Sequence, residues 1–165
     1  MIENCPTFLL KVGYLRIIDS SGGMKMNNPI EKALEIALHA HAGQTDKGGK
    51  PYILHPLRVM NSVEGDYLQI IAILHDVVED SGWSLNDLSE VGFSASVIRS
   101  VDCLTKREGE DYQTYLSRVK SDPLAVQVKR ADLMDNSNLS RILHPTDEDL
   151  QRVAKYAGAL AFLDQ

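Results

Sequence analysis

After residue 27 the apolar positions recur at helical spacing almost to the end of the chain. Ile30, Ala33, Leu34, Ala37 and Leu38, continued by His41, mark one face of a first helix. Its start is written in Asn28-Pro29-Ile30-Glu31: an N-cap, proline at the first helical position and an acid at the third. Gly43 stops it. Residues 44–54 form a polar, glycine-containing loop, and Pro56 opens a short helix ending near Val63. The next helix starts at Asp66 or Tyr67 and runs through IIAILHDVVED to Gly82. Ser84-Leu85-Asn86-Asp87 is a second capping pattern. Helical periodicity then covers 94–104, 111–121, 123–141 and 147–163, the last with Thr146 as N-cap and Asp149 at N3. No period-two alternation persists in this region. The pattern predicts an all-α bundle of about seven or eight helices.

The first 25 residues differ. FLLKVGYLRII has strand-like composition and no evident partner, and Ser20-Ser21-Gly22-Gly23 breaks the chain before Met24 and Met26. Glu3 precedes the apolar stretch, where a signal peptide would carry basic residues. Residues 1–25 are expected to be a loosely attached extension, and 26–165 the domain.

Composition narrows the class. The chain has 165 residues, 44% hydrophobic and 24% charged, which suits one folded domain and is too apolar for disorder. No apolar run approaches the roughly 18 residues that cross a bilayer, so no membrane partner is expected. Lys plus Arg number 17 against 23 Asp plus Glu, a net charge of −6. That balance argues against a nucleic-acid binder, which needs a basic face. It leaves room for a small anionic substrate held by a metal and a few local cations. Cys5 and Cys103 make neither a disulfide framework nor a zinc site, so they read as reduced thiols of a cytoplasmic protein.

Candidate chemistry lies in three strings: Pro51-Tyr52-Ile53-Leu54-His55-Pro56, His75-Asp76-Val77-Val78-Glu79-Asp80, and Lys129-Arg130-Ala131-Asp132 followed by Asp135 and Asn136. The second interrupts a helix otherwise apolar at Ile70, Ile71, Ile73, Leu74, Val77 and Val78. Titratable groups in such surroundings need partners. Taken alone, Glu79-Asp80 reads as a solvated helix end and His75 as a satisfied core histidine. Their company changes the reading: His55 precedes a proline, and Asp132 sits among Val126, Val128, Ala131, Leu133 and Met134. Two imidazoles and two carboxylates make a mixed nitrogen and oxygen set suited to Mn²⁺, Fe²⁺ or Zn²⁺. Such an ion acidifies water and polarises a phosphoryl oxygen.

The order His, His-Asp, Asp resembles the HD superfamily of metal-dependent phosphohydrolases. The strings HAGQ, KPYILHP, ILHDVVED and VKRADLMDN resemble the hydrolase domain of RelA/SpoT proteins and their small stand-alone relatives, over residues 30–142. The resemblance implies an HD-domain helical bundle that removes the 3′-pyrophosphate of ppGpp and pppGpp, usually with Mn²⁺. It makes His55, His75, Asp76 and Asp132 the metal ligands, and Glu79 and Asp80 the acids that activate water. Lys47 falls on a phosphate-facing basic position and Asn136 on an asparagine near the nucleotide; Tyr52 lines the pocket or packs.

Departures are visible too. Asp46 stands where the family has an arginine packed on guanine, and an acid cannot supply that stacking. Leu133, Asp135 and Asn138 replace basic or imidazole groups. Base preference is therefore open. The alternatives are an HD phosphohydrolase of another phosphorylated nucleotide, such as a nucleoside monophosphate or NADPH, and a catalytically silent nucleotide-binding module. Lys106 and Arg107 follow Leu104-Thr105 and reach either phosphate or solvent; His41 suits a structural role at its helix end, and Trp83 caps the core.

Overall fold

The computed structural model describes residues 28–165. The expected extension over 1–25 and the domain start near Met26 lie outside the described residues. The elements are α1 (Pro29–Ala40), α2 (Leu54–Asn61), α3 (Asp66–Leu74), α4 (Val77–Asp80), α5 (Leu85–Glu90), α6 (Ala95–Leu104), α7 (Tyr112–Lys120), α8 (Pro123–Ser137), a 3₁₀ turn (Leu139–Arg141) and α9 (Asp147–Leu163). The domain is all-helical, and its one β feature among the described residues is an isolated bridge between Thr45 and Pro51. No described helix is long and apolar enough to cross a membrane.

The caps form as the local sequence dictates. The side chain of Asn28 accepts from Ile30 N, and Ser84-Asp87 and Thr146-Asp149 close reciprocal capping boxes. The helix expected over 66–82 is broken, because the Nδ1–H of His75 donates to the carbonyl of Ala72 at 2.7 Å. That carbonyl would otherwise serve the helical ladder, and a side chain inserted there ends the run. The expected 123–141 helix likewise ends at Ser137, and Asn138 caps the 3₁₀ turn that follows.

The apolar end of α3 is the axis of the core. Ile70, Ile71, Ala72, Ile73 and Leu74 are buried on all sides, against α1, α2, α6 and α8. Burying residues of this kind stabilises by roughly 1.5–3 kcal/mol each. Trp83, Leu88 and Phe93 join the same core beside α5. This packing aims the C-terminal end of α3 at the starts of α2 and α4 and at the middle of α8, where the titratable groups lie.

Candidate metal and nucleotide site

His55 enters from the first turn of α2, His75 and Asp76 from the break between α3 and α4, and Asp132 from α8. Their atoms converge. His75 Nε2 lies 3.0 Å from Asp76 Oδ2, and His55 Nε2 lies 3.1 Å from Asp132 Oδ1. The crossed distances are 3.6 Å from His55 to Asp76 and 3.8 Å from His75 to Asp132. Both imidazoles and Asp132 are buried.

The tautomers are fixed from behind. The Nδ1–H of His55 donates to Asp135 Oδ2 at 2.7 Å, as that of His75 does to Ala72. Each Nε2 therefore presents a lone pair, and each is buried without a hydrogen-bond partner. Lone pairs facing carboxylate oxygens repel unless positive charge stands between them. Without an ion the carboxylates favour protons on the imidazoles. Burial works against charging either imidazole, yet Asp132 and Asp135 raise His55, and Asp76 and Asp132 raise His75. Burial opposes ionisation of Asp76 as well, yet His75 holds it down to about 2. A divalent cation answers the same demand, and the donor set fits one. His55, His75 and Asp76 bring ligand atoms within 4.8 Å of one another. Asp132 flanks both imidazoles, with Lys129 Nζ on its Oδ2 at 2.8 Å and Asn136 Nδ2 on its Oδ1 at 2.5 Å.

The acidic pair sits beside this cluster. Burial raises both Glu79 and Asp80, and Asp76 raises them further. Glu79 Oε2 accepts the backbone N–H of Lys106 at 2.8 Å. Gln44 Nε2 donates to the Asp80 carbonyl at 3.0 Å, and His41 Nδ1–H donates to Gln44 Oε1 at 2.9 Å, so the HAGQ string ties α1 to α4. Tyr52 packs against His41 and donates its hydroxyl to Asp76 Oδ2 at 2.6 Å.

Two cavities adjoin the cluster. One, of about 270 Å³, is lined by Asp76, Glu79, Asp80, Lys106, Lys129 and Lys155 among others. The second, of about 210 Å³, is lined by Asp46, Lys47, Asn138, Arg141 and Arg152. Tyr52, Asn136 and Tyr156 line both. All ten sequence-selected residues thus lie at the cluster or its cavities.

Asp46 lines the second cavity with its carboxylate already engaged. Oδ1 accepts from Gly48 N at 2.9 Å and Lys50 N at 3.0 Å, and Oδ2 faces Arg141 at 3.4 Å and Arg58 at 3.9 Å. Arg141 and Arg58 also hold Asp135, at 3.2 and 2.7 Å. The acids at positions 46 and 135 are two members of one network that ends on His55. Glycine is needed at position 48, where an added Cβ would lie 2.7 Å from the Arg141 carbonyl oxygen. Sequence reasoning did not single out Arg58 or Arg141. The Arg58–Asp135 and Arg141–Asp46 pairs span 77 and 95 residues, and no periodicity reports such pairs.

No family model matches the chain. It is 36% identical over 129 residues to a probable GTP pyrophosphokinase of Mycobacterium leprae, covering 70% of this chain and 16% of that one. It is 30% identical over 138 residues to a guanosine-3′,5′-bis(diphosphate) 3′-pyrophosphohydrolase of Aquifex aeolicus, covering 76% and 19%. The bifunctional (p)ppGpp synthase/hydrolase SpoT of Escherichia coli is 28% identical over 141 residues, covering 76% and 20%. The chain thus spans 16–20% of the length of these relatives. A solved structure described as a metazoan ortholog of SpoT that hydrolyzes ppGpp superposes with a TM-score of 0.71 at 22% identity, covering 86% of this chain and 88% of that one.

Proposed function

In sequence and fold this chain is a relative of the RelA/SpoT-type HD hydrolase domains, and we propose that it removes the 3′-pyrophosphate of ppGpp and pppGpp with a divalent metal, Mn²⁺ first among the candidates. The observation that carries this reading is the pair of buried, unpartnered Nε2 atoms facing Asp76 and Asp132, with Glu79 and Asp80 beside them. His55, His75, Asp76 and Asp132 would hold the ion. When bound, it supplies Lewis-acid polarisation of a phosphoryl oxygen and makes water more acidic.

The chain's own residues do the rest. Water oxygen bonds to the phosphorus on O3′, the P–O3′ bond breaks, and pyrophosphate departs as O3′ takes up a proton. Glu79 and Asp80, held above the ordinary carboxylate range by burial, accept the proton of the attacking water. Lys106, Lys129 and Lys155 offset the charge of the diphosphate in the first cavity. The nucleoside extends past Tyr52 and Asn136 into the second cavity, where Lys47 and Arg152 meet anionic groups. Arg141, gripped by Asp46 and Asp135, offers a planar cation to the base.

The absence of an arginine at position 46 favours a second reading, in which the same chemistry serves a different phosphorylated nucleotide. Purified protein supplied with Mn²⁺ and assayed on ppGpp, pppGpp, NADPH and nucleoside monophosphates distinguishes the two. Release of pyrophosphate from ppGpp with the highest kcat/KM supports the first reading. Faster turnover of another nucleotide replaces it with the second, and metal binding without any turnover leaves a nucleotide-binding module.

A further inference from the structure

The connection between α6 and α7, residues 105–111, is organised by one side chain. Arg118 reaches back from α7 to donate to the carbonyl of Asp102 and, at 2.8 Å, to that of Thr105. Its other contacts are with Glu110, at 2.6 and 3.1 Å. Glu110 in turn accepts the backbone N–H of Arg107 at 3.0 Å. Tyr115 adds its hydroxyl to the Leu104 carbonyl at 2.8 Å, and the Arg118 guanidinium rests over its ring. These contacts satisfy carbonyls that a helix end leaves open. They also pin residues 102, 104 and 105 before Lys106 and residues 107 and 110 after it. The Arg118 side chain is 15% exposed and that of Glu110 9%, so the clamp is largely sheltered from solvent.

Lys106 spends its backbone N–H on Glu79 Oε2 and is among the residues that line the first cavity. We infer that Arg118 is a positioning residue: through Glu110 and the end of α6 it holds the Lys106 amide where it orients the Glu79 carboxylate toward attacking water. The inference rests on the proposed role of Glu79 as a proton acceptor. One oxygen of Glu79 is fixed by the amide, which leaves the other to face the cavity. A donor on the ionised carboxylate also favours its charged form against the burial that raises it.

The clamp and the activity are tested separately. Amide hydrogen exchange at Lys106 needs no substrate: it should be protected in the parent protein and lose that protection in both Glu79→Ala and Arg118→Ala. Protection that survives in Arg118→Ala overturns the inference, whatever the protein hydrolyses. In steady-state kinetics on ppGpp with Mn²⁺, Arg118→Ala should lower kcat by about 10- to 100-fold, as expected for a misplaced catalytic group. Its KM should change little, and the acid limb of its pH profile should move to higher pH. Lys106→Pro removes the same N–H, and Thr105 at φ −75° and ψ 113° already has the backbone that precedes proline. It should reproduce the fall in kcat. Lys106→Ala keeps the N–H, loses the cation, and should mainly raise KM. Arg99→Ala, which breaks an ion pair with Asp122 earlier along α6 and leaves the Arg118 contacts in place, controls for general destabilisation and should keep parental kcat. Arg118→Ala with parental kcat and an unmoved acid limb makes the clamp purely structural. If ppGpp is not turned over at all, only the proposed substrate falls, and the exchange result still decides the clamp.

Discussion

Asp135 stands behind the proposed metal ligands: it holds the Nδ1–H of His55 and is held by Arg58 and Arg141. Burial would raise its carboxyl, but His55 and Arg58 keep it at about 2, so it stays an anion behind the imidazole. Such partners fix the orientation of a ligating histidine and increase its basicity. Asp135→Asn should therefore weaken divalent-metal affinity by about 10- to 100-fold, read from Mn²⁺ titration followed by calorimetry, with little change in fold. Undiminished affinity would reduce Asp135 to a loop anchor. The same network argues against placing an arginine at position 46. An arginine there would lose the bonds to Gly48 N and Lys50 N and would face Arg141 and Arg58. Asp46→Arg should cost about 1–3 kcal/mol of stability and raise KM for ppGpp, measured by urea melts and initial rates. A lower KM at parental stability would mean that position 46 faces the base directly.

At the scale of helices, Asp122 joins two elements. It caps α8 through Leu124 N and Ala125 N, each at 3.0 Å, and reaches across to Ser100 on α6 at 2.9 Å and Arg99 at 3.0 Å. Burial would raise its carboxyl, but the Ala125 N–H, Ser100 and Arg99 outweigh that and hold it below its ordinary value. A depressed folded pKa contributes stability above the unfolded value that is lost as pH falls through the folded one. Asp122→Asn keeps a capping acceptor and removes the titration. The stability advantage of the parent over this variant, from urea melts, should be full at neutral pH and shrink as pH falls through and below the ordinary carboxylate range. A constant difference would exclude Asp122 from the acid response. The helix starts at Asn28, Ser84 and Thr146 were legible because capping residues are short-range signals. The break at His75-Asp76 was not, because it depends on a ring nitrogen competing for the Ala72 carbonyl inside an unbroken apolar pattern. Nor was the Arg118 clamp, whose contacts cross from one helix to the preceding helix end and mean nothing until α6 and α7 are side by side.

For the whole domain, the apolar helix α3 delivers titratable groups to the centre of the bundle, and their mutual repulsion is the cost of the site. His55, His75, Asp76 and Asp132 were recognisable from sequence because each interrupts or borders an apolar run. The three-dimensional structure adds that two of their nitrogens are buried against carboxylates without a hydrogen bond. A cation that binds only the folded state therefore stabilises the fold as it completes the cluster. At a free concentration 100-fold above Kd the gain is about 2.7 kcal/mol, which for a domain of this size raises the melting temperature by about 5–10 °C. Chelation with EDTA should remove the increment, and Mn²⁺ should restore it. His75→Ala and Asp132→Ala should each lose both the increment and bound metal. Glu79→Gln should keep the increment while lowering kcat by roughly 10²–10⁴-fold, because in the proposed mechanism its carboxylate acts on water and not on the ion. Thermal melts with and without Mn²⁺, run beside metal analysis of each variant, separate the two roles. A Glu79→Gln protein that no longer gains stability from Mn²⁺ would move Glu79 into the ligand set, and an Asp132→Ala protein that still gains it would take Asp132 out.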